Sequence, residues 1–78
     1  MVKEFLANLE KINEWESNNL DIEIKKFINL KNIKFVSFGK PMRLLLINEE
    51  NGPSICEILF ILDKKNSILR LKNYIKDL

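Results

Sequence analysis

Every glycine and proline of this chain falls between positions 39 and 53. Gly39 and Pro41 lead into Met42-Arg43 and an apolar run, Leu44-Leu45-Leu46-Ile47. Gly52-Pro53 closes a polar stretch and precedes a second apolar run that carries one acid, Glu57. Because glycine and proline are the strongest local breakers, turns concentrate in the middle of the chain and the flanks are free to form uninterrupted elements. A core segment has no use for an arginine at the head of its apolar run, yet Arg43 stands there, ten positions before Pro53.

The flanks read as helices. Phe5, Leu6, Leu9, Ile12 and Trp15 recur at helical spacing with charged residues between them, predicting an amphipathic helix over about 2–15. Ser17 stands where an N-cap would, and Leu20, Ile24, Phe27 and Ile28 carry a second helix to about Leu30, with Asn29 and Asn32 at its end. Residues 33–38 alternate imperfectly and on propensity read as a strand, so the middle stays open. Pro41 fits the first turn of a short helix over 40–47, although the Leu44–Ile47 run would serve equally as a buried strand. Residues 48–52 form a polar turn, and Pro53 can open the next helix, on which Ile55, Ile58, Leu59 and Leu62 share a face. Asp63 or Asn66 can cap a last helix carrying Ile68, Leu71, Ile75 and Leu78.

With 78 residues there is room for one domain, residues 1–78. A core of that size supplies only about 3–5 kcal/mol, so such a chain is either marginal alone or braced by a neighbouring domain. The 46% hydrophobic content suits a globular fold, and the 31% of charged residues mixes both signs. Thirteen basic residues against eleven acidic ones leave a net charge of +2, so any affinity for nucleic acid must come from local clustering. Lys64, Lys65, Arg70, Lys72 and Lys76 provide such a cluster, which reads equally well as a solvated helix face. Catalysis finds little to use: Cys56 is the lone cysteine and there is no histidine, so neither a Cys/His pair nor a zinc constellation can form. The two glycines make no phosphate loop, and no cofactor is called for. One cysteine, no membrane-length apolar run and no signal-like start suit a cytoplasmic protein with no membrane role.

The order Pro41-Met42-Arg43, apolar run, short loop, Gly52-Pro53-Ser54-Ile55-Cys56-Glu57-Ile58 resembles the C-terminal anticodon-binding region of bacterial-type glutamyl-tRNA synthetases, which belong to the class I aminoacyl-tRNA synthetases. That region reads roughly Pro-Leu-Arg, a few small or apolar residues, a loop, then Ser/Gly-Pro-x-Ile/Leu-Phe-Glu-Ile/Leu. The family's helix followed by a tryptophan, its Ser/Thr-led helix and its final basic helix have counterparts here, so the likeness covers most of the chain. It departs at Val36-Ser37, where Gly-Lys is common, and at Lys40, Leu45, Ile47-Asn48 and Cys56.

The resemblance implies an all-α fold, a small bundle of about four to five helices. It also implies recognition of the tRNA(Glu) anticodon loop as the non-catalytic end of a glutamate–tRNA ligase, whose HIGH and KMSKS signatures this chain lacks. The remainder of the ligase would be a partner. The expected RNA-contacting set is Arg43, whose counterpart in the family contacts the anticodon, the loop residues Gly52, Pro53, Ser54 and Ile55, and the lysines Lys40, Lys64 and Lys65. Arg43 can hydrogen-bond a base edge and stack on a splayed base. The Gly52–Ile55 loop can offer a flat face and free N–H groups, and the lysines can hold phosphates. The plainer reading makes Arg43 the partner of Glu49, Glu50 or Glu57, and Phe35, Phe38 and Phe60 core residues. The resemblance makes Glu57 a structural residue that ties down a helix terminus. A helical interaction domain that keeps the fold but has lost RNA recognition is the alternative from another class.

Overall fold

The computed structural model describes residues 2–76 and places four helices in order: α1 (Val2–Glu10), α2 (Ser17–Lys31), α3 (Phe35–Ile47) and α4 (Ile55–Lys76). No strand occurs among the described residues, so the all-α expectation holds. Helix α4 is broken at Asp63, whose φ of 68° and ψ of 174° are not helical; its two halves account for the expected range of four to five helices.

The core forms where the helices turn aromatic side chains toward one another. Phe5 of α1 meets Phe27 of α2 at a centroid distance of 5.2 Å and Phe38 of α3 edge-on at 5.0 Å. Phe27 and Phe38 complete the triangle at 5.9 Å. Tilted and edge-on ring pairs at such distances add to plain area burial. Helix α4 packs against the other three and brings Ile55, Ile58, Leu59 and Leu71 into the same core.

The ambiguous middle resolves as helix for a reason visible in the stripe Phe38, Met42, Leu46. These residues lie at i, i+4 and i+8, and all are fully buried. Treating Gly39 as a breaker cuts that stripe in two and hides it. Pro41 therefore lies inside α3 and not in its first turn. An interior proline removes the bond to the carbonyl four residues back. Here that carbonyl belongs to Ser37, an exposed residue within reach of water.

The ends of the elements differ from expectation in instructive ways. Helix α1 stops at Glu10, well short of Trp15, and closes with Lys11 and Ile12 N–H bonds to the carbonyls of Asn8 and Leu9. Trp15 instead donates its indole N–H to the Leu59 carbonyl at 2.8 Å. The N-cap of α2 is Glu16, without a side-chain bond; Ser17 is already helical, and its carbonyl accepts the Cys56 thiol at 3.0 Å. Asn32 and Asn48 end α2 and α3 in the left-handed conformation that asparagine tolerates better than most residues. Helix α4 begins after Pro53, with Ser54 as its cap: the Ser54 hydroxyl accepts the Glu57 N–H at 3.2 Å. Asp63 caps the second half of α4, its Oδ1 accepting the Asn66 N–H at 2.9 Å, as anticipated for one of the two candidates. Leu78, expected on the last apolar face, lies outside the described residues.

Candidate nucleic-acid interface

The break between α3 and α4 folds the two halves of the central motif onto each other. Asn48 turns the chain, Gly52 takes a φ of 150° that disfavours any side chain, and Pro53 then delivers its carbonyl toward α3. The Arg43 Nε–H donates to that carbonyl at 2.9 Å. One bond thus joins residues ten apart in sequence and fixes the guanidinium beside the loop. Among the described residues Arg43 forms no ion pair with Glu49, Glu50 or Glu57, so the plainer sequence reading of this arginine does not describe the structure.

The guanidinium lies across Gly39, one turn back on α3. A Cβ on Gly39 would stand 3.0 Å from Arg43 Nη1 and 3.7 Å from Phe35 Cε1. Phe35 is 49% exposed, so its ring borders Gly39 at the surface and is no core residue. Phe60 is likewise 49% exposed; of the three phenylalanines expected in the core, only Phe38 is there. Sequence reading missed Phe35 because its spacing, one helical turn to Gly39 and two to Arg43, becomes visible only once α3 is known to run unbroken from Phe35.

The loop residues present different atoms from those their types suggest. Pro53 and Gly52 are exposed, while Ser54 has its hydroxyl engaged in capping α4. Ile55 is fully buried, so its side chain anchors the start of α4 from beneath and faces the core. The first N–H groups of a helix have no intrahelical partner; at the start of α4 the Ser54 hydroxyl accepts one of them, from Glu57. Glu57 sits in the same first turn, where a carboxylate complements the helix dipole. Lys40 is exposed on α3, three residues before Arg43.

Lys64 and Lys65 belong elsewhere. They follow the Asp63 break, roughly 12 Å along the first half of α4 from its start. Lys64 donates from Nζ to the carbonyls of Ile12 at 2.6 Å and Glu10 at 3.2 Å, closing the C-terminal end of α1. Lys65 is exposed, and both line a shallow groove floored by Ile68 and Leu69 and rimmed by Lys72. The structure therefore gathers Lys40, Arg43 and the loop at one end and leaves the two lysines at another.

Cys56 follows the buried Ile55. Burial pushes its thiol above the usual cysteine value, and the carboxylates of Asp21 and Glu57 push the same way. At neutral pH it is a protonated thiol. No group of metal-binding side chains occurs among the described residues, and no helix there is long and apolar enough to cross a membrane.

Most positions that depart from the resembled pattern lie on the outside. Val36, Ser37 and Lys40 are exposed, and Leu45, Ile47 and Cys56 are half-buried. Asn48 supplies the left-handed turn that a glycine would otherwise provide.

Comparison with known proteins gives the family. The chain is 34% identical over 77 residues to glutamate–tRNA ligase 1 of Helicobacter pylori (strain HPAG1), covering 99% of this chain and 17% of that protein. It is 32% identical over 78 residues to the glutamate–tRNA ligase of Mycoplasma genitalium, covering 95% of this chain and 16% of the relative. The corresponding ligase of Syntrophotalea carbinolica is 33% identical over 66 residues, covering 85% of this chain and 14% of the relative. The matched segment is the C-terminal region of these proteins, so the chain spans only about a sixth of the length of the first of them. No solved structure matches. The family described as "Anticodon binding domain" matches residues 1–75, and the chain belongs to that family.

Proposed function

We propose that residues 1–78 act as one module that reads the anticodon loop of tRNA(Glu), serving as the non-catalytic C-terminal part of a glutamate–tRNA ligase in the cytoplasm. The remainder of such a ligase is then its protein partner. The observation that carries this reading is the bond from Arg43 Nε to the Pro53 carbonyl. It joins the two halves of the motif at the surface and leaves both terminal nitrogens of the guanidinium to donate to a base edge. Unstacked anticodon bases need such donors together with flat surfaces to lie against. Pro53 and the half-exposed Phe35 ring supply the flat surfaces, and Gly52 and the capped start of α4 let backbone N–H groups approach.

Lys40 holds a phosphate beside the base that Arg43 reads. Lys65, and Lys64 with the donor capacity its α1 contacts leave over, hold phosphates farther along the RNA. Ser54 and Ile55 contribute by setting the start of α4. A gel-shift comparison of tRNA(Glu) with an unrelated tRNA tests the whole reading: retardation of tRNA(Glu) at lower protein concentration supports it, and equal or absent retardation of both removes it. The second reading, an interaction domain without RNA recognition, draws on Phe60 and on Ile61, which is 76% exposed. That exposure also suits a surface against which the remainder of a ligase packs.

A further inference from the structure

Glycine is among the least favourable residues inside a helix, since it gives up the most backbone freedom and leaves the backbone bare. Gly39 nonetheless sits inside α3, buried, with no left-handed conformation that would require it. The usual explanation would be a second helix crossing close by. The nearest atoms to a Cβ at this position are instead those of Arg43 and Phe35, both side chains of α3 itself: Arg43 Nη1 at 3.0 Å, Phe35 Cε1 at 3.7 Å and Arg43 Cζ at 3.8 Å. What the missing side chain admits is the guanidinium.

We propose that Gly39 is a positioning residue of the RNA site: its bare backbone is the seat that holds the Arg43 guanidinium flat against α3 while Pro53 holds it from the side. This rests on the assignment of Arg43 as the base-reading residue. The guanidinium has only limited freedom to move aside, because Nε is already bonded to the Pro53 carbonyl at 2.9 Å. A methyl group at position 39 stands closer to Nη1 than ordinary van der Waals contact allows. It lifts the guanidinium outward and lengthens the bond to Pro53. The same methyl group favours the helix, so the fold gains while the site loses. A glycine kept for folding would behave in the opposite way.

The test uses the full chain as parent, Gly39→Ala, Arg43→Ala and the double variant. Melting temperature, affinity for a labelled tRNA(Glu) anticodon stem-loop and the NMR exchange rate of the Arg43 Nε–H are measured. Expected for Gly39→Ala are a melting temperature at or above the parent's, faster Nε–H exchange and about tenfold weaker binding, within the range of one base contact. In the Arg43→Ala background the glycine substitution should leave affinity unchanged. Unaltered Nε–H exchange in Gly39→Ala overturns the proposal, as does an equal loss of affinity with and without Arg43. If the parent fails to bind the stem-loop, the RNA reading falls, and the Nε–H exchange alone still decides whether Gly39 seats the guanidinium.

Discussion

At the scale of single residues, the arrangement around Arg43 separates binding from folding. The arginine donates one bond to an exposed carbonyl and touches the glycine beneath it, but no buried group depends on it. Arg43→Ala should therefore cost stability no more than about 1 kcal/mol, the worth of one exposed hydrogen bond. Loss of a base contact should weaken binding to the tRNA(Glu) anticodon stem-loop by about 1–3 kcal/mol. Arg43→Lys is not a conservative change here. An ammonium keeps the charge, but it cannot bond Pro53 and a base edge at once in one plane. It should restore little of the lost affinity. Urea melts beside fluorescence-anisotropy titrations of the variants measure both quantities. Near-parental binding by Arg43→Lys would show that charge alone is read. Lys65→Ala, by contrast, should weaken cognate and unrelated tRNA alike, because a phosphate carries no sequence.

At the scale of elements, Asp63 shows how the chain places a break where a continuous helix would have served propensity. Its φ of 68° and ψ of 174° fall in a region nearly reserved for glycine, at a cost of about 1–3 kcal/mol. Its carboxylate returns part of that by capping the second half of α4 through the Asn66 N–H. Around the break, the Leu59 carbonyl accepts the Trp15 indole and the hydroxyl of the fully buried Ser67. Asp63→Ala removes the cap and keeps the strain, so thermal melts should show a loss of about 1–2 kcal/mol. Asp63→Gly removes both and should lie nearer the parent; if glycine proves the worse of the two, the strain relieved is smaller than the backbone freedom glycine adds to the unfolded chain. The possibility of a cap at Asp63 was legible in the sequence, since an acid just before a helix start is a local signal. The helical flanks were legible for the same reason, their apolar spacing being regular. What was not legible depended on partners distant in sequence. Trp15 leaves its helix to reach Leu59, and Lys64 turns from solvent to the end of α1. Residues 35–47 become helix because Phe38 must reach Phe5 and Phe27, a demand that overrides both strand propensity and two breakers. The candidate site followed the same division. Arg43 and Pro53 stood out as residue types, but the contribution of Phe35 and the seat at Gly39 required the unbroken helix.

At the scale of the whole molecule, charge and size set how the domain should meet RNA. The net charge of +2 offers little long-range attraction, and the longest dimension of the fold is only 27 Å. Of the lysines assigned to phosphates, Lys64 already donates to two carbonyls of the chain, which leaves Lys40 and Lys65 as the main phosphate contacts. Each phosphate neutralised on a single strand releases counterions and contributes about −0.7 to the slope of log affinity against log salt. With about two such contacts, from Lys40 and Lys65, the slope should be near −1.4, and raising salt from about 50 to 200 mM should weaken binding about sevenfold. Lys40→Ala should reduce the slope by about 0.7, without changing the preference for tRNA(Glu). A slope as steep as about −5 would mean that cations beyond Lys40 and Lys65, such as Arg70, Lys72 and Lys76, also hold phosphates. A slope of zero would mean that the RNA is held by stacking and hydrogen bonds alone, and Lys40 and Lys65 would lose their assigned roles. The intermediate value is what a small, nearly neutral reader should show, with most of its discrimination concentrated in one arginine and the loop that holds it.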